Sequence, residues 1–109
     1  KASIPYLKRT QGGILLFTSS SFTRGRPLYS IYSSTKAAIV NFMQAQSDEL
    51  SMYDIKINAI NPERTDTEMR IQNFGCELKS ELLKPSVVAK ISLQTLLSDY
   101  TGQVIDIRK

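Results

Sequence analysis

Histidine is absent from this chain of 109 residues, which excludes imidazole bases, His-containing catalytic triads and His-ligated metals. Its single cysteine, Cys76, rules out an intramolecular disulfide, leaves no multi-cysteine zinc site, and fits a reduced, cytoplasmic setting. No apolar run approaches the roughly eighteen residues that a membrane span requires. The longest aliphatic stretch near the start is Ile14-Leu15-Leu16-Phe17, and the first residues do not read as a signal peptide. No continuous basic stripe is present either. The net charge is +4, but the basic residues are scattered, with small groups at Lys8-Arg9 and Arg24/Arg26. Nucleic acid is therefore not the expected partner, whereas a small anionic substrate suits the charge. There are no repeats, linkers or low-complexity tracts.

What is present is an alternation of strand-like and helix-like segments in a chain long enough for one small domain. Residues 1–9 read as the tail of a helix, broken at Thr10 to Gly13. Ile14 to Phe17 is wholly apolar, as expected of a strand buried on both faces in a parallel sheet. A loop with Gly25 and Pro27 leads to a helical pattern over Tyr32 to Met52, whose apolar residues span enough of its circumference to face both a sheet and a partner. Residues 54–61 alternate as a strand that Pro62 is expected to stop. Glu63 to Leu83 is polar and weakly patterned, suiting a mobile substrate loop with a short helix. Pro85 opens a last helix, and residues 103–107 form a last strand. Strands alternating with helices predict a parallel α/β sheet with right-handed crossovers.

The chemistry concentrates at Tyr32 and Lys36. Four residues apart, a phenol and an ammonium share one helix face. A neighbouring cation stabilises a phenolate and makes tyrosine a usable proton donor and acceptor. Ser19, thirteen positions upstream, follows the apolar strand at the sheet edge where ligands bind in open α/β folds. Serine, tyrosine and lysine together point to reduction of a carbonyl or oxidation of an alcohol. A tyrosine–lysine pair alone also occurs on solvated helices; the surrounding pattern distinguishes the two.

With Ser19, Tyr32, Lys36 and the Asn61-Pro62 turn in this order, the chain resembles the short-chain dehydrogenase/reductase family over essentially its whole length. The resemblance covers the C-terminal half of that family's domain. It implies a Rossmann-like doubly wound parallel sheet, here three strands with helices on both faces. It also implies that residues 1–109 form one part of a domain whose dinucleotide-binding half would precede Lys1, leaving the isolated piece inactive. By the same resemblance Ser19 matches the catalytic serine and Tyr32 the general acid/base. Lys36 matches the lysine that supports the tyrosine and bonds the nicotinamide ribose. Pro62 would lie beside the nicotinamide, and Thr67 matches the threonine that contacts its carboxamide. The implied cofactor is NADP, with NAD as the alternative. One departure is Pro62-Glu63, where the family usually has Pro-Gly, so the backbone beside the nicotinamide is open to a different arrangement.

The string Ile60-Asn61-Pro62-Glu63-Arg64-Thr65, with Met69-Arg70 and Asn73-Phe74-Gly75, is similar to the reductase domains of bacterial ribulose-5-phosphate reductase/CDP-ribitol pyrophosphorylase proteins. That similarity implies reduction of D-ribulose 5-phosphate to D-ribitol 5-phosphate and a fused cytidylyltransferase. A sugar phosphate needs cations, and Arg64, Arg70, Arg24 and Arg26 are the candidate phosphate ligands, Arg64 foremost. The alternatives are a reductase for another sugar or polyol, and an association module pairing two copies through the 32–52 helix. Tyr29 is either a packed aromatic or part of the site wall. Cys76 reads as inert.

Overall fold

The computed structural model describes residues 1–109. In chain order the elements are α1 (Ile4–Thr10), β1 (Gly13–Phe17), a 3-10 turn (Ser20–Thr23), α2 (Ser30–Ser51), β2 (Lys56–Pro62), α3 (Glu68–Phe74), a second 3-10 turn (Lys79–Glu81), α4 (Pro85–Leu96) and β3 (Val104–Ile107). The sheet order is β1-β2-β3, and both pairings are parallel.

Period-two alternation sends the residues of each strand to opposite faces. Ile14, Leu16, Ile57, Ala59 and Val104 meet Met43 of α2 on one face. Leu15, Ile60, Ile105 and Ile107 pack with Val88 and Ile91 of α4 and with Leu83 on the other. Helices thus cover both faces, as expected of the doubly wound class. Ile57, Ile60, Ile107 and Met43 are almost entirely removed from water, each contributing roughly 1.5–3 kcal/mol of transfer free energy.

The 22 residues of α2 contain neither glycine nor proline. Its buried positions, Ser33, Val40, Met43 and Leu50, recur at helical spacing and face the sheet. On the outside a second row, Ile31, Ala38, Phe42, Ala45 and Met52, lies exposed. The helix begins two residues before the expected Tyr32 because Ser30 and Ile31 are already helical.

Two boundary expectations need correction. Residues 1–9 are not simply a helix tail: α1 is a short helix with Pro5 in its own first turn. Pro62 does not stop β2 but forms its last residue, in register with Ile107. The reason is directional. Lys56 N donates to Gly12 O and Thr18 N donates to Ile60 O, so even-numbered β2 residues face β1. Pro62 faces the same side, beyond the last residue of β1, where no amide hydrogen is needed. Glu63 N then bonds Ile107 O on the β3 side. Gly102, at φ 70°, makes the turn into β3, and a Cβ there would come within 2.9 Å of Ser47 Oγ. No helix is long and apolar enough to cross a membrane.

Candidate active site

Parallel pairing brings the carboxyl ends of β1 and β2 to one edge of the sheet. Ser19 leaves that edge two residues after β1, while Pro62 ends β2 and Thr67 follows in the loop beyond it. This is where crossover loops leave open α/β sheets and form crevices.

Ser19 is extended and caps the 3-10 turn, its Oγ accepting from Ser21 N at 3.3 Å. Accepting that bond leaves the hydroxyl proton free to donate elsewhere. The turn after Ser19 packs on α2 and so sets the serine beside the helix that carries Tyr32 and Lys36. Two further bonds fasten β1 to α2. The Thr18 hydroxyl donates to the Lys36 backbone carbonyl at 2.9 Å, and Lys36 Nζ donates to the Phe17 carbonyl at 3.1 Å. Since Thr18 N faces β2, the Phe17 carbonyl faces the open outer edge of β1. Lys36 Nζ also lies 5.7 Å from the Tyr32 ring centroid, within cation–π range. The Tyr32 ring is 42% exposed and so reachable from solvent.

Beyond β2, Thr67 caps α3, its Oγ1 accepting from Arg70 N at 3.3 Å. Glu63 adopts no positive φ, so the backbone here does not require the glycine usual at this place. Its carboxylate instead reaches the end of the chain, meeting Arg108 Nη1 at 3.4 Å and Lys109 N at 3.0 Å.

A family profile described as short chain dehydrogenase matches residues 1–75. The chain belongs to the short-chain dehydrogenase family. Over 103 residues it is 56% identical to the bifunctional ribulose 5-phosphate reductase/CDP-ribitol pyrophosphorylase Bcs1 of Haemophilus influenzae, covering 94% of this chain and 22% of that protein. It is 34% identical to the uncharacterized oxidoreductase YciK of Escherichia coli K12, over 97% of this chain and 43% of that one. A solved short-chain dehydrogenase of Escherichia coli CFT073, complexed with NADPH, superposes with a TM-score of 0.82 at 29% identity, over 94% of this chain and 44% of its own. The chain therefore spans less than half the length of these relatives.

Within this short-chain dehydrogenase frame, the candidate residues fall into two groups. Ser19, Tyr32, Lys36, Pro62 and Thr67 all sit at the carboxyl edge or on the helix beside it. Their hydroxyls and ammonium are the donor set that a nicotinamide ribose and carboxamide call for, so the edge fits that end of a dinucleotide. The arginines divide. Arg24 and Arg26 are exposed and form no ion pair. Arg70 grips Glu77 with both arms of its fork, Nη2 lying 3.1 Å from Oε1, and Arg64 Nη1 approaches the same oxygen at 3.6 Å. The Arg70 hydrogen bond, reinforced by the charges of Arg70 and Arg64, holds the Glu77 carboxyl below its ordinary value against the opposing effect of desolvation.

Sequence reasoning missed Glu77, Phe74 and the positioning role of Thr18. Tyr29 packs on neighbouring aromatics and yet stays exposed, so the two readings of it are compatible. It stacks on Phe74 at 6.0 Å and meets Tyr32 edge-on at 6.2 Å, while Arg70 covers the Phe74 ring at 4.5 Å. A continuous series of contacts thus runs from Tyr32 to the arginine pair. Only the motif Asn73-Phe74-Gly75 hinted at it, because nothing in local spacing announces a contact between residues so distant in the chain.

Proposed function

We propose that this chain is the proton-handling part of a nicotinamide-dependent reductase that converts D-ribulose 5-phosphate to D-ribitol 5-phosphate. The single observation that supports the reading is the clasp at the end of β1, where Thr18 and Phe17, just before Ser19, bond to Lys36 of α2. The 56% identity to Bcs1 supports the choice of substrate.

A nicotinamide held by Lys36 and Thr67 at the carboxyl edge would supply the hydride. Ser19, its hydroxyl free to donate, holds the ketone oxygen by a hydrogen bond and keeps its own proton. As the carbonyl carbon gains its new C–H bond, the Tyr32 phenol gives its proton to that oxygen, completing the secondary alcohol. Lys36 stabilises the phenolate left on Tyr32 until a solvent proton restores it. Thr67 and Pro62 would flank the carboxamide end of the cofactor. We place the pyrophosphate and adenosine contacts in the rest of the family's domain, outside these residues. A fused cytidylyltransferase would consume the alcohol product.

The outer row of α2 supports an accompanying reading, association of two copies through that helix. The test of function is a ketose panel assayed on the complete protein with NADPH and NADH. D-Ribulose 5-phosphate is expected to exceed D-ribulose by at least about a hundredfold in kcat/KM. Equal rates for the two ketoses would remove the phosphate from the reading.

A further inference from the structure

The loop between Arg64 and Leu83 is closed at its feet. Leu83 N donates to Arg64 O at 2.8 Å and Asp66 N donates to Leu83 O at 2.9 Å. Within it, α3 ends at Gly75, whose positive φ of 74° suits glycine, and the chain turns back so that Glu77 meets Arg70 seven residues earlier. The loop encloses a cavity of about 70 Å³, lined in part by Thr67, Arg70, Glu77 and Lys79. Arg70 and Glu77 are each about four-fifths shielded, with side-chain exposures of 20% and 22%.

The charges in this clasp do not balance. Two guanidiniums, Arg70 and Arg64, converge on one carboxylate, and Lys79 nearby is 3.9 Å from Asp66. One unit of positive charge on the arginine pair is left over. A phosphomonoester dianion would neutralise the pair completely. Its oxygens also present to an arginine fork the same geometry that a carboxylate does. The site is linked to the reacting end through Phe74, Tyr29 and Tyr32.

We infer that Glu77 is a built-in stand-in for the substrate phosphate: a phosphomonoester displaces it from Arg70 and Arg64, and the loop closes again around the ligand. The identity of the phosphate as part of a ketose rests on the function proposed above; the exchange of carboxylate for phosphate does not. Before ligand arrives, Glu77 keeps the two guanidiniums oriented and the loop folded. The cost of expelling it lowers affinity for phosphate alone, so a ligand that also reaches Ser19 and Tyr32 is favoured over inorganic phosphate.

The experiment uses the complete protein, wild type and Glu77→Gln, with inorganic phosphate as the probe. In Glu77→Gln, inorganic phosphate is expected to inhibit at a concentration at least about fivefold lower than in wild type. Unchanged or weaker phosphate inhibition would overturn the inference, since Glu77 would then only brace the arginines. A second measurement needs no variant: carbon NMR of the Glu77 carboxyl in wild-type protein. Saturating inorganic phosphate is expected to move that signal toward the position of a free glutamate, and an unmoved signal overturns the exchange. Displacement of Glu77 in a protein that does not reduce D-ribulose 5-phosphate would overturn the substrate and leave the exchange standing. Efficient turnover with an unmoved Glu77 would do the reverse.

Discussion

The buried hydroxyl of Thr18 donates to the backbone carbonyl of Lys36 across 2.9 Å, tying the end of β1 to the first turns of α2. It makes Thr18 a positioning residue, because it touches neither proposed substrate nor cofactor but fixes the helix that presents Tyr32 and Lys36. Thr18→Val keeps the shape and removes the bond, at a cost of about 1 kcal/mol in stability. In the complete protein kcat is expected to fall about tenfold with little change in KM, as for a small misplacement of reacting groups. A fall in KM affinity with kcat intact, measured by steady-state kinetics, would place Thr18 in binding instead.

Tyr32→Phe removes the proton donor and leaves the ring. Its edge-on contact with Tyr29, and the cation of Lys36 near its face, both survive the change. Turnover is expected to drop by about 10²–10⁴-fold, with the circular dichroism spectrum and melting temperature close to wild type. Retention of wild-type kcat in that variant would remove Tyr32 from the chemistry.

The parts of this arrangement that follow local rules were readable from the sequence. Apolar runs and alternation placed all three strands, and the helical apolar pattern over Tyr32 to Met52 placed α2, since burial on a sheet imposes a period on the residues that face it. Proline rules misjudged Pro62 because they are directional: a missing amide hydrogen matters only where a neighbouring strand is waiting for it. The placement of Tyr32 and Lys36 on one helix was legible because helix geometry gives a four-residue spacing its meaning. The Arg70–Glu77 clasp was not. It depends on the backbone reversal at Gly75 and on two arginines meeting a carboxylate in three dimensions, neither of which has a period.

Met43 tests the core between α2 and the sheet. It is fully buried against Ile57 and Ala59, so Met43→Ala is expected to destabilise by about 2–5 kcal/mol. Leu97, just after α4 and 86% exposed, serves as the control, and its change to alanine is expected to fall within about 0.5 kcal/mol of neutral. Urea unfolding midpoints measure both; equal effects would contradict the burial of Met43.

Glu77 gives a pH dependence of defined sign. Its carboxyl is held below the ordinary value, first by the Arg70 hydrogen bond and then by the charges of Arg70 and Arg64. A depressed carboxylate contributes stability above the ordinary pKa and loses it as pH falls through the lowered one. The loop is therefore expected to stay closed from neutral pH down past the ordinary carboxylate range, and to loosen only in more acid solution. Proton titration followed by NMR at the Glu77 carboxyl checks this against glutamate in an unstructured peptide. A Glu77 midpoint at or above that of the peptide would contradict the clasp.

The outer row of α2 places Phe42, 56% exposed, at the middle of an apolar stripe that also includes Ile31 and Met52, at 77% and 76% exposure. Large apolar groups at helical spacing on the face turned away from the sheet are what two packed helices need. Phe42 lies ten residues after Tyr32 on α2, about 15 Å along the helix axis. Phe42→Glu places a charge in the centre of the stripe without disturbing Val40 or Met43, which face inward. If α2 is the contact between two copies, sedimentation velocity of the complete protein will show a dimer in wild type and a monomer in Phe42→Glu. Burying an unpaired carboxylate against apolar surface costs several kcal/mol, enough to dissociate a micromolar pair. The same sedimentation coefficient for both proteins would exclude this face as the contact.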